Sequence, residues 1–281
     1  MNFARKLVYG MALFLIAGCL VPDDGHAQYW RRREYYPEPQ RDIFPGDTFT
    51  FCRIHYQSEG GRGRRGGWGG GWETDYPESD LNFPTRLGEL TTIRINRDEQ
   101  GNIKHAIVGL MEDDLFHYPF VYMLEVGRLV FDDDEAARLH EYLLRGGFLM
   151  VDDFWGSNAW ENWVYEFSKV FDPDEYPMVD MPLDHQIFHI VFEVKEVPQI
   201  PGIGFWYQTG GMTSERFEDS AIPECKGVFD KKGRLMAVIL HNTDLGDGWE
   251  EEAQNPVYFR EFSAKKAYPL GINIVVYTMT H

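Results

Sequence analysis

Carboxylates, amides and imidazoles stand just past five short, mostly apolar runs of this chain. Side chains of these types can hold a divalent cation, divide acid and base duties, or bind the hydroxyls of a sugar. The runs are Cys52 to Tyr56 ahead of Asp75, Ile107 to Met111 ahead of Asp113 and Asp114, and Phe148 to Val151 ahead of Asp152 and Asp153. Two more are Met178 to Leu183 ahead of Asp184 and His185, and Met236 to Leu240 ahead of His241, Asn242 and Asp244. Runs of this length read as strands buried on both faces, and polar groups past a strand's carboxyl end are where open parallel sheets bind ligands. One acidic cleft is the expectation.

Within that cleft, Asp152 and Asp153 point to opposite sides of their strand, so one faces the cleft while the other caps a neighbouring loop or helix. Asp153 is the one assigned to the cleft, as metal ligand or general base. Asp184, His185 and His189 form Asp-His-x-x-x-His, which on a helix sets two imidazoles one turn apart, the spacing a divalent metal uses. The alternative is an Asp–His pair that only fixes its loop. The glutamate of HExxH is missing, which excludes a zinc protease of that kind. Asn242, Asp244, Asp247 and Glu250 are oxygen donors at loop spacing, yet Gly246 and Asp247 stand where an EF-hand needs an acid or amide and then a glycine. An Asx-type loop placing Trp249 at the rim competes with calcium there. Trp72, Asp75 and Tyr76, with Trp249, offer rings beside acids, the pairing carbohydrate sites use. The candidate set is therefore Asp153, Asp184 and His185 for catalysis, Trp72, Asp75, Asp114, Asp153, Asn242, Asp244 and Trp249 for ligand binding, and Asp184, His185 and His189 for metal. No cofactor is evident beyond the divalent metal such residues could hold.

The elements that must position these groups follow α/β grammar. Asp132 to Asp134 cap a helix carrying Leu139, Tyr142 and Leu143, Gly146 and Gly147 stop it, and Phe148 to Val151 return as a strand. Asn158 to Phe171 predicts a helix with Trp160, Trp163, Val164, Phe167, Val170 and Phe171 on its core face. Thr48 to Tyr56 and Thr91 to Ile95 predict strands, Pro77 to Leu90 mixes helix signals with Pro84, and residues 190 to 224 predict excursions from the sheet. The strings 227–230 and 235–240 flank LysLysGlyArg as a hairpin or as a strand leaving a loop, and a helix from about Phe262 closes the chain despite Pro269. Residues 58–72 are a glycine-rich loop without GxxxxGK[ST], which excludes a nucleotide P-loop.

Arg5 and Lys6 precede an uncharged apolar stretch from Leu7 to Val21, the layout of a secretory signal. Cleavage after Ala27 gives an exported, periplasmic chain; the alternative exit, Ile16-Ala17-Gly18-Cys19, would leave a lipoprotein anchored at Cys19. Residues 28–47 are a Pro-, aromatic- and Arg-containing linker, and 48–281 a single α/β domain. Its two cysteines, Cys52 and Cys225, allow one disulfide or two buried thiols. A net charge of −18 argues against nucleic acid and against general adhesion to anionic lipid.

Six strings, at 72–77, 113–122, 142–153, 184–188, 241–250 and 270–277, resemble the bacterial domain-of-unknown-function 4159 family over about residues 48–281. That resemblance implies a three-layer flavodoxin-like fold with a mainly parallel central sheet, related to class I glutamine amidotransferases, in an exported or membrane-associated setting, and no established activity. Catalytic amidotransferases carry a cysteine on the turn after the strand that follows a Gly-Gly; this chain reads Val151-Asp152-Asp153-Phe154 there. The functional expectation is a periplasmic binding or assembly module for a polar small molecule, a glycan or an envelope protein. The alternative is a metal-dependent or carboxylate-based hydrolase acting on carbohydrate or peptidoglycan, in which Asp153 and Asp184 divide acid and base duties or His185 binds metal.

Overall fold

The computed structural model of the chain describes residues 48–58 and 71–281. The signal segment, Cys19, the linker and most of the glycine-rich loop lie outside the described residues. Seven strands form one sheet: β1 (Phe51–His55), β3 (His105–Gly109), β4 (Phe120–Leu124), β6 (Phe148–Asp152), β7 (Val179–Asp180), β8 (Glu224–Phe229) and β9 (Leu235–His241). Their order is β3-β1-β4-β6-β9-β8-β7, parallel from β3 through β9 and antiparallel from β9 to β8 and from β8 to β7. Two short strands, β2 (Gln57–Ser58) and β5 (Leu129–Val130), pair separately.

Alternation along the strands explains why they read as continuous apolar runs. Phe120, Tyr122, Phe148, Met150, Val238 and Leu240 belong to one buried cluster. Val121, Met123, Leu149, Val151, Ala237 and Ile239 belong to another. Both faces are buried, so neither carries polar residues at period two. Helix α1 (Glu78–Leu90) gives Phe83 and Leu87 to the first cluster, as the closing helix gives Leu270, Ile272 and Ile274. Helices α2 (Asp133–Leu144) and α3 (Ser157–Phe167) give Leu139, Tyr142, Trp163 and Phe167 to the second. Two more short helices, α4 (Ile203–Gln208) and α5 (Leu245–Glu250), precede a π-helical segment, Phe259–Ala267, that runs into α6 (Tyr268–Thr280) with Pro269 in its first turn.

The start of α2 is a reciprocal capping box: Glu135 N donates to Asp132 Oδ1 at 2.8 Å, and Asp132 N donates to Glu135 Oε2 at 3.1 Å. Asp132→Ala is expected to lower stability by about 1 kcal/mol in urea unfolding, because it orphans an amide at the helix start.

Several expectations are corrected. Thr91 to Ile95 makes only an isolated bridge, Ile95 with Phe49. Helix α1 runs through Pro84 without ending. The strand β4, which no expectation placed, lies in the sheet between β1 and β6. Met178 to Leu183 is not a strand buried on both faces: β7 is a two-residue exposed edge. For Cys52 and Cys225 the structure gives two buried thiols, one of the two alternatives left open above. Among the described residues no helix is long and apolar enough to cross a membrane.

Candidate functional site

Asp153 leaves β6, Asp244 follows β9, and Asp75 comes from the segment that enters α1, so three connections meet at the carboxyl edge of the parallel strands. Strands β6 and β9 are direct neighbours, with Val151 opposite Ile239, which sets the residues beyond them side by side. The chain turns sharply there: Asp75, Asp153 and Asn242 all have left-handed backbones, with φ of 60°, 50° and 62°. Aspartate and asparagine tolerate that region better than most side chains, and non-glycine residues held in it cluster at functional sites.

One oxygen each from Asp75, Asp153 and Asp244 lies within 4.8 Å of the others, and all three residues are buried. Asp75 is 9% exposed, and its Oδ2 has no hydrogen-bond partner. Glycine at 246 makes the close approach workable, since a Cβ there would stand 2.2 Å from Asp75 Oδ2, 3.0 Å from Tyr122 Oη and 3.2 Å from Asp244 Oδ1. Asp153 Oδ1 accepts from Trp155 Nε1 at 3.1 Å, and Asp244 Oδ1 accepts from Asp247 N at 2.7 Å. A second group shares Asp75: oxygens of Asp75, Asp247 and Glu250 also lie within 4.8 Å of one another.

Burial pushes the pKa of Asp153 well up, and the charges of Glu125, Asp75 and Asp247 push it further. Asp244 is raised by burial and then by Asp153 and Asp247. Asp247 rises by burial and then by Asp75, while Glu250 is pushed up to about 11, by burial first and by Asp75 and Asp247 next. Asp75 is raised by burial and partly relieved by Glu250 and Arg53. Buried and half-buried carboxylates crowded like this either keep protons or take a cation, and a bound ion inverts the local balance.

Asp152 does different work. Its Oδ2 accepts from Leu245 N at 2.7 Å, Gly246 N at 3.2 Å and Tyr122 Oη at 3.2 Å, so it anchors the start of α5 while Asp153 faces the acids. Burial pushes it up to about 7 despite those donors. Beneath the cluster, fully buried Arg53 ties β1 to the segment bearing Asp75. Its Nε donates to Asp80 at 3.1 Å and its Nη1 to the carbonyls of Trp72 at 2.8 Å and Thr74 at 2.7 Å.

The structure brings together Asp75, Asp153 and Asp244 and separates the other candidates. Asn242 is committed, with Oδ1 accepting from Gly156 N at 2.8 Å and Nδ2 donating to the Ile222 carbonyl at 2.9 Å. Trp249 is a core residue, not a rim aromatic: it is 0% exposed, 4.4 Å from the Phe83 ring and beside Phe51 and Tyr122. Trp72 is half-buried, with its ring 6.0 Å from that of His55. Asp114 pairs with His117 at 3.6 Å past β3, outside both acid groups. His185 packs on Phe229 and Tyr277, and Phe229 sits opposite Leu235, at the amino end of β9. The length of β9 therefore separates it and its neighbour Asp184 from Asp153, roughly 20 Å of strand. Asp184 and Asp153 cannot share acid and base work over that span. His185 starts a three-residue 3-10 turn and caps Ile187 N, and His189 Nε2 meets the Asp184 carbonyl, so the helical spacing that would align two imidazoles is absent. Asp247 and Glu250 carry their signal in the string Asp244-Leu-Gly-Asp-Gly-Trp-Glu, as oxygen donors at loop spacing, whereas Glu215 has no sequence motif around it.

Both cysteines lie in strands, Cys52 in β1 and Cys225 in β8, where burial pushes their thiols up. Neither belongs to an acid group. A cavity of about 300 Å³ lined by Arg86, Leu90, Phe192, Phe259 and Tyr268 holds none of these carboxylates, and Arg86 is already paired with Glu89 and Glu252.

No curated protein matches the chain. A family model described as a domain of unknown function does match, over residues 50–279, a span that holds every residue of the acidic site. The chain belongs to this family, DUF4159.

Proposed function

We propose that the chain is an exported, periplasmic binding or assembly module that holds a hard divalent cation at Asp75, Asp153 and Asp244 and presents it to a polar, oxygen-rich ligand such as a glycan. Its fold is read as the three-layer, flavodoxin-like form of the class I glutamine amidotransferases, with Asp152 and Asp153 where those enzymes place their cysteine. One observation carries the cation: Asp75, which brings an oxygen within 4.8 Å of oxygens of Asp153 and Asp244, has a buried Oδ2 without a hydrogen-bond partner, and that atom and Asp244 Oδ1 both crowd Gly246. A buried acceptor without a donor costs about 1–3 kcal/mol or more when charged, and an ion removes that cost. Oxygens up to about 4.8 Å apart can share one ion bound at roughly 2.4 Å from each. The donors are carboxylates alone, without histidine or cysteine, which selects calcium, magnesium or manganese over zinc or copper.

Titration calorimetry of the chelator-treated chain with Ca2+, Mg2+ and Mn2+ tests this. Binding of at least one ion per chain is expected, and Asp153→Asn should weaken it at least tenfold, about 1.4 kcal/mol. Absence of binding by all three ions would overturn the reading. Cation-dependent turnover of a cell-wall sugar or peptide, abolished by Asp153→Ala, would replace it with the hydrolase.

A further inference from the structure

We infer that the site holds two cations, with Asp75 as the carboxylate common to both. This rests on the cation reading above and extends it. The first ion takes Asp75, Asp153 and Asp244; the second takes Asp75, Asp247 and Glu250, whose oxygens meet the same 4.8 Å limit. A carboxylate has two oxygens and can ligate one ion with each, and Asp75 is the residue the groups share. Its Oδ2 is buried and receives no hydrogen bond from an N–H or hydroxyl of the protein, so the contact an ion would displace is the proton shared with Glu250.

The surroundings hold the second group as they hold the first. Asp247 Oδ2 lies where a Cβ on Gly202 would come within 2.6 Å, so glycine at 202 opens the space this carboxylate fills. Glu250 and Asp75 face each other closely enough to hydrogen-bond through a proton, which a cation would displace. Asp247 and Glu250 sit on α5, which Asp152 anchors through Leu245 N and Gly246 N, while Asp244 caps it through Asp247 N. The ligands of both ions thus rest on one hydrogen-bonded support.

Charge names the ligand chemistry. Five carboxylates against two divalent cations leave one negative charge, and Glu215 and Glu125 add to the negative field acting on Asp153. An added phosphate would be repelled, whereas neutral hydroxyl or carbonyl oxygens complete the coordination without that cost. The fitting ligand is a neutral polyol or sugar rather than a phosphoester.

Manganese gives a direct readout. After equilibrium dialysis of the full chain against excess Mn2+, metal analysis should find two ions per chain, and electron paramagnetic resonance should show the spectrum of an exchange-coupled pair. Glu250→Gln and, separately, Asp247→Asn should each lower the count to one and return the uncoupled six-line signal, with unchanged circular dichroism. One ion per chain in the unaltered protein overturns the second site and leaves the single-ion reading standing. No bound ion overturns both.

Discussion

Arg53→Met is expected to lower the unfolding free energy by about 3–5 kcal/mol, the usual cost of stranding one member of a buried ion pair. Arg53 and Asp80 are both fully buried and meet as a salt bridge, so the substitution leaves an aspartate in the core without its cation. The carbonyls of Trp72 and Thr74 and the hydroxyl of Ser79 lose a donor in the same step. For a chain of this size each kcal/mol moves the melting temperature by about 2–4 °C, so the melting temperature should fall by about 6–20 °C. The double variant Arg53→Met/Asp80→Leu should recover part of the loss, since a buried pair replaced whole is far less damaging than one broken. The same guanidinium fixes the backbone on either side of Glu73, two residues before Asp75, so cation affinity should fall along with stability. An Arg53→Met chain as stable as the original, with unaltered cation binding, would show that the buried pair does not support the site.

Arg53 also marks the boundary of what sequence patterning reveals. An arginine within the run Cys52 to Tyr56 can survive between two buried faces only with a carboxylate partner, yet nothing local says that the partner is Asp80 on a later helix. Apolar runs identify burial because the hydrophobic effect is non-directional; for the same reason they are silent on which strands become neighbours. The ends of β6 and β9 were legible as acid-bearing, and their adjacency, which joins Asp153 to Asp244, comes from the sheet order. Met178 to Leu183 has the composition of a buried strand, but its pairing is confined to two residues at an exposed edge, and the chain then carries His185 back to Phe229. Trp249 misled in the opposite sense. Its acidic neighbours suggest a rim, while its ring is held in the core by Phe83 and by Gly271, where a Cβ would come within 2.6 Å of the indole. The left-handed turns at Asp75, Asp153 and Asn242, which converge the acids, are set by tertiary hydrogen bonds such as Asp153 N to the Thr243 carbonyl at 3.2 Å.

Freed of divalent cations, the protein is expected to become less stable as pH rises from 5 to 8, and a saturating cation should reverse that loss. The sign follows from the direction of the shifts. Burial raises Asp152 to about 7, Glu251 to about 7 and Glu250 to about 11 in the folded chain, above the ordinary carboxylate values they regain on unfolding. The folded state therefore binds more protons than the unfolded state between those limits, and stability falls with pH there. Glu251 alone, raised from 4.5 to about 7, accounts for about 2.5 kcal/mol lost between pH 5 and 8. Asp152 acts in the same direction over the same window, and Glu250 extends the loss above neutrality. Since these groups feel one another's charges, the total is smaller than independent contributions would give. A fall in melting temperature of about 10 °C or more between pH 5 and 8 is the expected scale. A cation competes with protons for the oxygens of Asp75, Asp153, Asp244 and Glu250, all raised by burial, so it should bind weakly at pH 5 and strongly at pH 8. At a thousand times its dissociation constant it adds about 4 kcal/mol, enough to flatten the profile. Thermal unfolding in chelator and in excess Ca2+ or Mn2+, at unit steps of pH, checks both limbs. A metal-free profile that is flat or rises with pH would mean that the carboxylates at Asp75, Asp153 and Asp244 are not held in the closed, mutually repelling arrangement on which cation binding depends.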